Sequence, residues 1–209
     1  MNDQQLQERV RRYYEGRLHE HGATARGVDW NSEASQLLRF RQLERLWEEE
    51  PDAGVLDYGC GYGALAEYIR ARGHRGPYTG FDISPEMADA AVRRGGQLSS
   101  CQWTSDRSQL RPAEYAVASG ILNVKLDASD EDWRAYLWRT IADLASLGTR
   151  GFGFNALTAY SDADKKRPDL YYADPLELFD CCRRTYGRFV ALAHDYPLYE
   201  FTILVRFTT

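Results

Sequence analysis

The chain has 209 residues, of which 44% are hydrophobic and 27% charged, a composition expected of one globular domain in water. Its formal net charge of −5 provides no basic field to attract nucleic acid, and its apolar runs fall far short of the ~20 residues that a membrane-spanning helix needs. The N-terminus is polar where a secretory signal would be apolar, so we expect a cytoplasmic protein. The four cysteines form no Cys-x-x-Cys pair, which argues against a disulfide framework and against a metal site.

Apolar patterns and turn residues predict helices and strands along the whole chain. In chain order these are helices at about 3–18 and 32–50, a strand at 54–58, a helix at 64–72, a strand at 78–83, a helix from Ser84, strands at 101–104 and 114–120, a helix at 130–146, a strand at 151–157, a helix at 175–185 and strands at 188–195 and 198–207. Ser32, Ser84 and Ser129 are the expected N-caps of three of these helices.

The order of these elements predicts the fold class. Five strands that alternate with helices favour a parallel sheet covered on both faces. Only a tight turn at Tyr196-Pro197 separates the last two strands, so no crossover helix fits and the final strand must run antiparallel to its partner. We therefore expect an α/β doubly wound three-layer sandwich, whose seven-stranded, mostly parallel sheet has an antiparallel last strand, preceded by N-terminal helices.

A glycine-rich turn follows the first strand of the predicted sheet. The stretch Asp57-Tyr-Gly-Cys-Gly-Tyr-Gly63 lies between a strand and a helix, where a doubly wound sheet binds nucleotide-like ligands. Glycine permits both the tight turn and the close approach of a ligand to the backbone. Asp82 ends the next strand, and its carboxylate can accept hydrogen bonds from both hydroxyls of a ribose. This pattern also fits a dinucleotide fingerprint, so a nicotinamide-dependent oxidoreductase stays open as an alternative.

Other features favour a ligand with a positive charge over a dinucleotide. Asp57 comes two residues before the first glycine, where it would attract a cationic group and repel a pyrophosphate. The predicted hairpin at the end of the sheet leaves no second domain to hold a hydride donor against a substrate. No Tyr-x-x-x-Lys pair follows the fourth strand.

At these motifs the chain resembles the class I S-adenosylmethionine-dependent methyltransferases. VLDYGCGYG at 55–63 is similar to the family's first motif, YTGFDISPEM at 78–87 to its second, and AEYAVASGILNV at 113–124 to the motif at the reaction centre. The resemblance runs from the first strand to the C-terminus and implies S-adenosylmethionine (SAM) as cofactor. It divides the chain into a methyltransferase domain at 53–209 and a helical extension at 1–52 that covers the cofactor and acceptor site.

The resemblance also implies which residues contact the cofactor. The backbone from Gly59 to Gly63 would lie against the methionine part, with Asp57 near the ammonium group, directly or through water. Asp82 would take the ribose hydroxyls, while Ser105 or Asp106 would meet the adenine edge, although Asp106 can equally cap a turn. The full expected set is Asp57, Gly59, Cys60, Gly61, Gly63, Asp82, Ile83, Met87, Ser105, Asp106 and Ser119.

The acceptor should lie at the C-terminal ends of the strands, within about 3–3.5 Å of the methyl carbon for an in-line displacement. Asn123 could orient a polar acceptor there or simply cap a loop. The connection at 157–172 is too long for an ordinary loop, and together with residues 21–32 it should close over the site. The expected acceptor contacts are Tyr13, Trp30, Arg39, Asn123, Asn155, Tyr160 and Tyr172. The candidate catalytic residues are Asn123 and His21.

We therefore expect a SAM-dependent methyltransferase that acts on an oxygen or nitrogen atom of a small molecule, as a monomer or homodimer, without nucleic-acid or membrane partners. The 14 tyrosines and 5 tryptophans support a small acceptor, because such residues line ligand pockets. Many of them fall in the N-terminal extension and in the long connection, where they would enclose the acceptor, namely Tyr13, Tyr14, Trp30, Tyr160, Tyr171 and Tyr172. Three alternatives stay open. They are the same chemistry on a protein or glycan, an NAD-dependent oxidoreductase, and a cofactor-binding protein without catalysis.

Overall fold

A computed structural model of the protein describes residues 3–207. The helices are α1 (Asp3–His21), α2 (Glu33–Glu44), α3 (Ala64–Ala71), α4 (Pro85–Gly95), α5 (Asp130–Leu147) and α6 (Pro175–Tyr186). The strands are β1 (Val55–Tyr58), β2 (Tyr78–Phe81), β3 (Cys101–Thr104), β4 (Ala113–Ala118), β5 (Gly148–Leu157), β6 (Phe189–Ala193) and β7 (Glu200–Arg206). Short 3-10 helices lie in three of the loops, at Ala25–Val28, Arg107–Gln109 and Ala163–Lys165. None of the helices in this part of the chain is both long and apolar enough to cross a membrane.

The strands form one mixed sheet in the order β3-β2-β1-β4-β5-β7-β6. Strand β7 pairs antiparallel with both β5 and β6, and the other pairings are parallel. The predicted α/β fold with one reversed strand is therefore confirmed. The chain order reverses at β1 and β4, so the loops that follow these two strands diverge and leave a crevice at the carboxyl edge of the sheet.

Helices cover both faces of the sheet and bury a separate core on each. Helices α5 and α6 pack on one face, where Ile141 lies in a buried cluster with Leu56. Helices α2 and α3 pack on the other face, where Ile69 clusters with Val55. Because successive side chains of a strand point to opposite faces, Val55 and Leu56 belong to different cores.

The predicted N-caps account for where three of the helices begin. The side-chain oxygen of Ser84 accepts a hydrogen bond from the backbone N–H of Met87 at 3.2 Å, and Pro85 occupies the first turn of α4. Ser32 caps α2 and Ser129 caps α5 in the same way.

The second helix is shorter than predicted. It ends at Glu44, and the chain continues to residue 49 as turns instead of the helix expected to residue 50. Leu46 and Trp47 donate their backbone N–H groups three residues back, and both side chains are buried. The tighter turns bring both side chains into the core, and Pro51 disfavours a helical residue before it.

The last two strands are joined by a longer loop than predicted. The antiparallel pairing is confirmed, but residues 194–199 separate the strands where a tight turn at Tyr196-Pro197 was expected. The side chain of Tyr196 turns inward, and its hydroxyl lies 2.9 Å from Oγ1 of Thr202. Holding this ring inside the fold requires the extra residues, and the loop then lines a cavity described below.

Candidate active site

The glycine-rich loop between β1 and α3 is a tight turn against the end of β2. Gly59 and Gly61 have φ of 87° and 52°, a region that other residues rarely adopt. The N–H groups of Gly59 and Cys60 both donate to the carbonyl oxygen of Phe81, at 2.7 and 2.9 Å. A Cβ on Gly59 would lie only 2.3 Å from Cγ2 of Ile121. A larger residue at Gly59 would therefore displace Ile121, so the tight packing of this loop depends on glycine.

Asp82 follows β2 and holds this loop through its carboxylate. Oδ2 accepts from the N–H of Gly61 and Oδ1 from the N–H of Ser84, each at 2.9 Å. Burial raises the pKa of Asp82 to about 6, and the two backbone hydrogen bonds oppose that rise. Each carboxylate oxygen can accept more than one hydrogen bond, so both can still accept one from a ligand.

A cavity of about 640 Å³, including its open mouth, lies above the carboxyl ends of β1, β2 and β4. Val10 and Tyr14 of α1 cover it, and α1 is held there because Oγ of Ser84 donates to Oε1 of Glu15 at 2.9 Å. Six of the residues expected at the cofactor line this cavity, namely Gly59, Gly61, Asp82, Ile83, Met87 and Ser119.

A second, larger cavity of about 1230 Å³, including open space, adjoins the first. The long connection after β5 forms one side and is anchored by an isolated bridge between Val124 and Leu170. The loop between β6 and β7 forms another side. Four of the expected acceptor contacts line this cavity, namely Trp30, Arg39, Asn123 and Tyr172. The residues that line both cavities are Tyr14, Val28, Trp30 and Gly120, so the two spaces meet there.

Asn123 presents a hydrogen-bond donor to the second cavity. Its side chain is 4% exposed, and its Oδ1 accepts from the backbone N–H of Leu157 at 3.0 Å. Its own carbonyl oxygen accepts from the N–H of Tyr171 at 2.8 Å, which fixes the loop after β4. Among residues 3–207 the side-chain nitrogen has no hydrogen-bond partner, so its N–H groups remain available to a ligand.

Trp30 forms a fixed wall between the two cavities. The guanidinium carbon of Arg39 lies 3.8 Å from the centre of a Trp30 ring, and Arg39 donates from Nε and Nη2 to the two carboxylate oxygens of Glu200, both at 2.6 Å. Both charged residues are buried, so the ion pair is strongly held. On its other side, Trp30 occupies the space that a Cβ on Gly120 would fill, at 2.2 Å from Cζ2.

Residues 30–158 match the family model for a methyltransferase domain. A Mycobacterium tuberculosis (strain H37Rv) protein of the methyltransferase family, Rv1506c, is 53% identical over 152 residues, which cover 73% of this chain and 92% of that protein. The chain belongs to the methyltransferase family. Together with the fold and the motifs, this makes it a SAM-dependent methyltransferase.

Solved structures share the fold of the methyltransferase. The DhpI complex with S-adenosylhomocysteine (SAH) superimposes with a TM-score of 0.66 at 18% identity and covers all of both chains. The 1,6-didemethyltoxoflavin-N1-methyltransferase of Burkholderia thailandensis, with 1,6-didemethyltoxoflavin and SAH bound, has a TM-score of 0.66 at 21% identity, and the match covers all of this chain and 92% of that one. At these identities the likeness shows the fold alone.

SAM is the cofactor of the methyltransferase, and the first cavity suits it chemically. Gly59 and Gly61 line this cavity without side chains of their own, so a ligand can lie against their backbone. The carboxylate of Asp82 offers two acceptors at ribose spacing, and Ile83 and Met87 supply an apolar surface for a flat base. The residues present therefore fit the cofactor.

Asp57 does not reach the cavity, contrary to the expectation that it meets the ammonium group. It lies on the same face of β1 as Val55, where its carboxylate accepts from the hydroxyl of Tyr78 at 2.7 Å. Burial raises the pKa of Asp57 to about 7, against the lowering effect of that hydrogen bond. In the methyltransferase this carboxyl group is part of the core beneath the loop.

Four other residues expected at the cofactor also lie outside the cavity. Cys60 is buried beneath the loop, and Gly63 is the N-cap residue of α3. Ser105 follows β3 without lining the cavity. Asp106 is exposed and caps a 3-10 helix by accepting from the N–H of Ser108 at 2.9 Å, which is the turn-capping alternative.

Several expected acceptor or catalytic residues line neither cavity. The hydroxyl of Tyr13 donates to Oδ2 of Asp29 at 2.8 Å, and the side chain of Tyr160 is mostly exposed. Asn155 is fully buried and accepts from the N–H of Gly120 at 2.9 Å, so it fixes the loop after β4. His21 ends α1 beside Glu20, away from both cavities.

Some residues at the site were not predicted from the sequence. Val10 was not assigned, and Tyr14 was expected only among the aromatic residues that enclose the acceptor, although their four-residue spacing on a predicted helix places both on one face. Glu200 was also missed, and an acid at the start of an apolar strand signals a buried cationic partner.

Proposed function

We propose that the methyltransferase transfers the methyl group of SAM to an oxygen or nitrogen atom of a small molecule held in the second cavity. The observation that carries this proposal is the shared wall of the two cavities at Tyr14, Val28, Trp30 and Gly120. An in-line displacement requires donor and acceptor on opposite sides of the methyl carbon. Two adjoining cavities supply that arrangement.

On this proposal the first cavity holds the donor. Asp82 accepts from the ribose hydroxyls, Ile83 and Met87 pack against the adenine, and the backbone of Gly59 and Gly61 lies against the methionine part. When bound, SAM supplies a methyl group that is already activated on a sulfonium. The protein then has to position the acceptor and exclude water.

Helix α1 and the long connection after β5 enclose the donor and the acceptor. Helix α1 covers the donor side through Val10 and Tyr14, and the long connection contributes Tyr172 to the acceptor side. Asn123 orients a polar group of the acceptor through its free amide N–H. The fixed wall of Trp30 favours a compact molecule, because it limits the width of the space.

The experiment incubates the methyltransferase with methyl-labelled SAM and an extract separated into a low-molecular-mass filtrate and a macromolecular fraction. We expect the label to enter a product in the filtrate. Label that enters protein, glycan or nucleic acid in the macromolecular fraction, with none in the filtrate, would contradict a small acceptor.

A variant that fills only the second cavity sharpens this experiment. Leu198→Trp places a large side chain in that cavity, and Leu198 does not line the first one. We expect methyl transfer to be lost while SAH binding, measured by calorimetry, is unchanged. The matched control is Asp195→Trp, in the same loop but exposed, which should retain both properties.

A further inference from the structure

The junction of the two cavities is where the transferred methyl group has to cross. Only four residues among 3–207 line both spaces: Tyr14, Val28, Trp30 and Gly120. If the donor lies in the first cavity and the acceptor in the second, as proposed above, these residues surround the methyl group and the sulfur that carries it. In SAM that sulfur has a positive charge, and in SAH it is neutral.

Tyr14 differs from the other three in what its side chain offers to a positive charge. Val28 is apolar and Gly120 has no side chain. Trp30 has an N–H that can only donate, and one of its ring faces is covered by the cationic guanidinium of Arg39. The phenol oxygen of Tyr14 has lone pairs, so it presents the negative end of a dipole at the junction.

The ring of Tyr14 is held on two sides, while its hydroxyl has no partner. It packs edge-on against Tyr13, with ring centres 5.2 Å apart, and against the cluster formed by Leu6, Val10, Ala128 and Trp133. Within residues 3–207 its hydroxyl makes no hydrogen bond. The hydroxyl is not sealed inside the protein, so it is available to a ligand.

The same hydroxyl stays neutral. Burial and the nearby carboxylate of Asp29 hold the pKa of Tyr14 well above its usual value. Tyr14 therefore acts as a dipole and not as a phenolate, and its attraction for a cation is weaker than that of a full charge. Because this attraction is weaker, we expect only a modest change in SAM affinity when the oxygen is removed.

We propose that Tyr14 recognises the sulfonium of SAM through its phenol oxygen and thereby favours the methylated cofactor over spent SAH. The geometry requires only that the S-methyl group faces the junction, which Tyr14 lines on both sides. The oxygen then contacts polarised methyl hydrogens and the adjacent positive sulfur. In SAH both the methyl group and the charge are gone, so the same oxygen contributes little.

The experiment measures the Kd of SAM and of SAH by calorimetry for the wild type and for Tyr14→Phe. This variant removes only the oxygen and keeps the ring contacts that hold α1. We expect the Kd of SAM to rise about two- to fivefold and the Kd of SAH to stay as in the wild type. Tyr13→Phe is the matched control, because it removes the neighbouring phenol oxygen, which bonds to Asp29, and Tyr13 itself lines neither cavity. The ratio of the two Kd values should not change in this control.

An equal rise in the Kd of SAM and of SAH in Tyr14→Phe would overturn the proposal, because the oxygen would then contact a part that both ligands share. An unchanged Kd for both ligands would overturn it too. Neither probe needs the acceptor, so this result is independent of Leu198→Trp. Suppose that Tyr14→Phe keeps the wild-type ratio of the Kd values of SAM and SAH, while Leu198→Trp loses methyl transfer. This result would refute the role of Tyr14 and leave the proposed function intact.

Discussion

Replacing Asp82 with asparagine tests the cofactor side of the site. In the structure each carboxylate oxygen accepts one backbone N–H, from Gly61 or from Ser84. An amide group has one oxygen and one NH₂, so Asp82→Asn must place a donor opposite one of these two N–H donors. The variant therefore loses one hydrogen bond that holds the glycine loop and one acceptor for the ribose.

The expected loss of affinity follows from hydrogen bonds to a charged acceptor. Each contributes about 1.5–3 kcal/mol, compared with about 1 kcal/mol for a neutral pair. Loss of one such bond to the ribose corresponds to a rise in the Kd of SAM of about 10- to 100-fold, since 1.4 kcal/mol is a factor of ten. Misplacement of the glycine loop can only add to this rise.

Calorimetry with SAM and SAH at pH 7.5 is the assay. The Kd of SAM and the Kd of SAH should rise by the same factor in Asp82→Asn, because both ligands contain the ribose. The matched control is Asp106→Asn, which changes an exposed carboxylate that caps a 3-10 helix outside the cavity. An unchanged Kd in Asp82→Asn, or an equal loss in Asp106→Asn, would refute the assignment of the ribose to Asp82.

Three further predictions concern pH and backbone strain. Calorimetry should show the affinity for SAM falling about tenfold from pH 7.5 to pH 5, because the pKa of Asp82 is about 6 and the protonated carboxyl group is a poorer hydrogen-bond acceptor. In Asp82→Asn this dependence on pH should disappear. The pKa of Asp57 is raised from 3.8 to about 7, so its contribution to stability is greatest below pH 3.8 and is lost as the pH rises to 7. In denaturant unfolding of the ligand-free protein, the free energy of unfolding of Asp57→Asn should therefore rise by roughly 2–3 kcal/mol relative to that of the wild type between pH 5 and pH 8. If the two proteins show the same dependence of this free energy on pH, the prediction is wrong. Gly120→Ala should lower the melting temperature by about 3–6 °C, because φ of Gly120 is 84° and the new Cβ would displace Trp30. An unchanged melting temperature would show that the Trp30 side chain between the two cavities is mobile.

The parts of the fold and site that depend on local order were predictable from the sequence. The glycine loop and Asp82 follow successive parallel strands, so they necessarily meet at one edge of the sheet. Asp57 shows the limit of that reasoning. It is close in sequence to the loop, but strand alternation directs its side chain into the opposite core, beside Tyr78.

The second cavity depends on contacts between distant parts of the chain. Arg39 and Glu200 are 161 residues apart, and their ion pair fixes the position of Trp30. No local pattern pairs a particular arginine with a particular acid among many exposed charges. The loop at 194–199 is similar, because its length depends on where the ring of Tyr196 is buried.

The proposed function requires the methyl group to cross at the junction of the two cavities. A crystal structure of the methyltransferase with SAH would locate the sulfur from which that methyl group leaves. We expect the ribose to bind to Asp82 and the sulfur to lie at the opening between Tyr14 and Trp30, facing the cavity that contains Asn123. A sulfur that points away from this opening, or a ribose bound elsewhere, would rule out transfer at the junction.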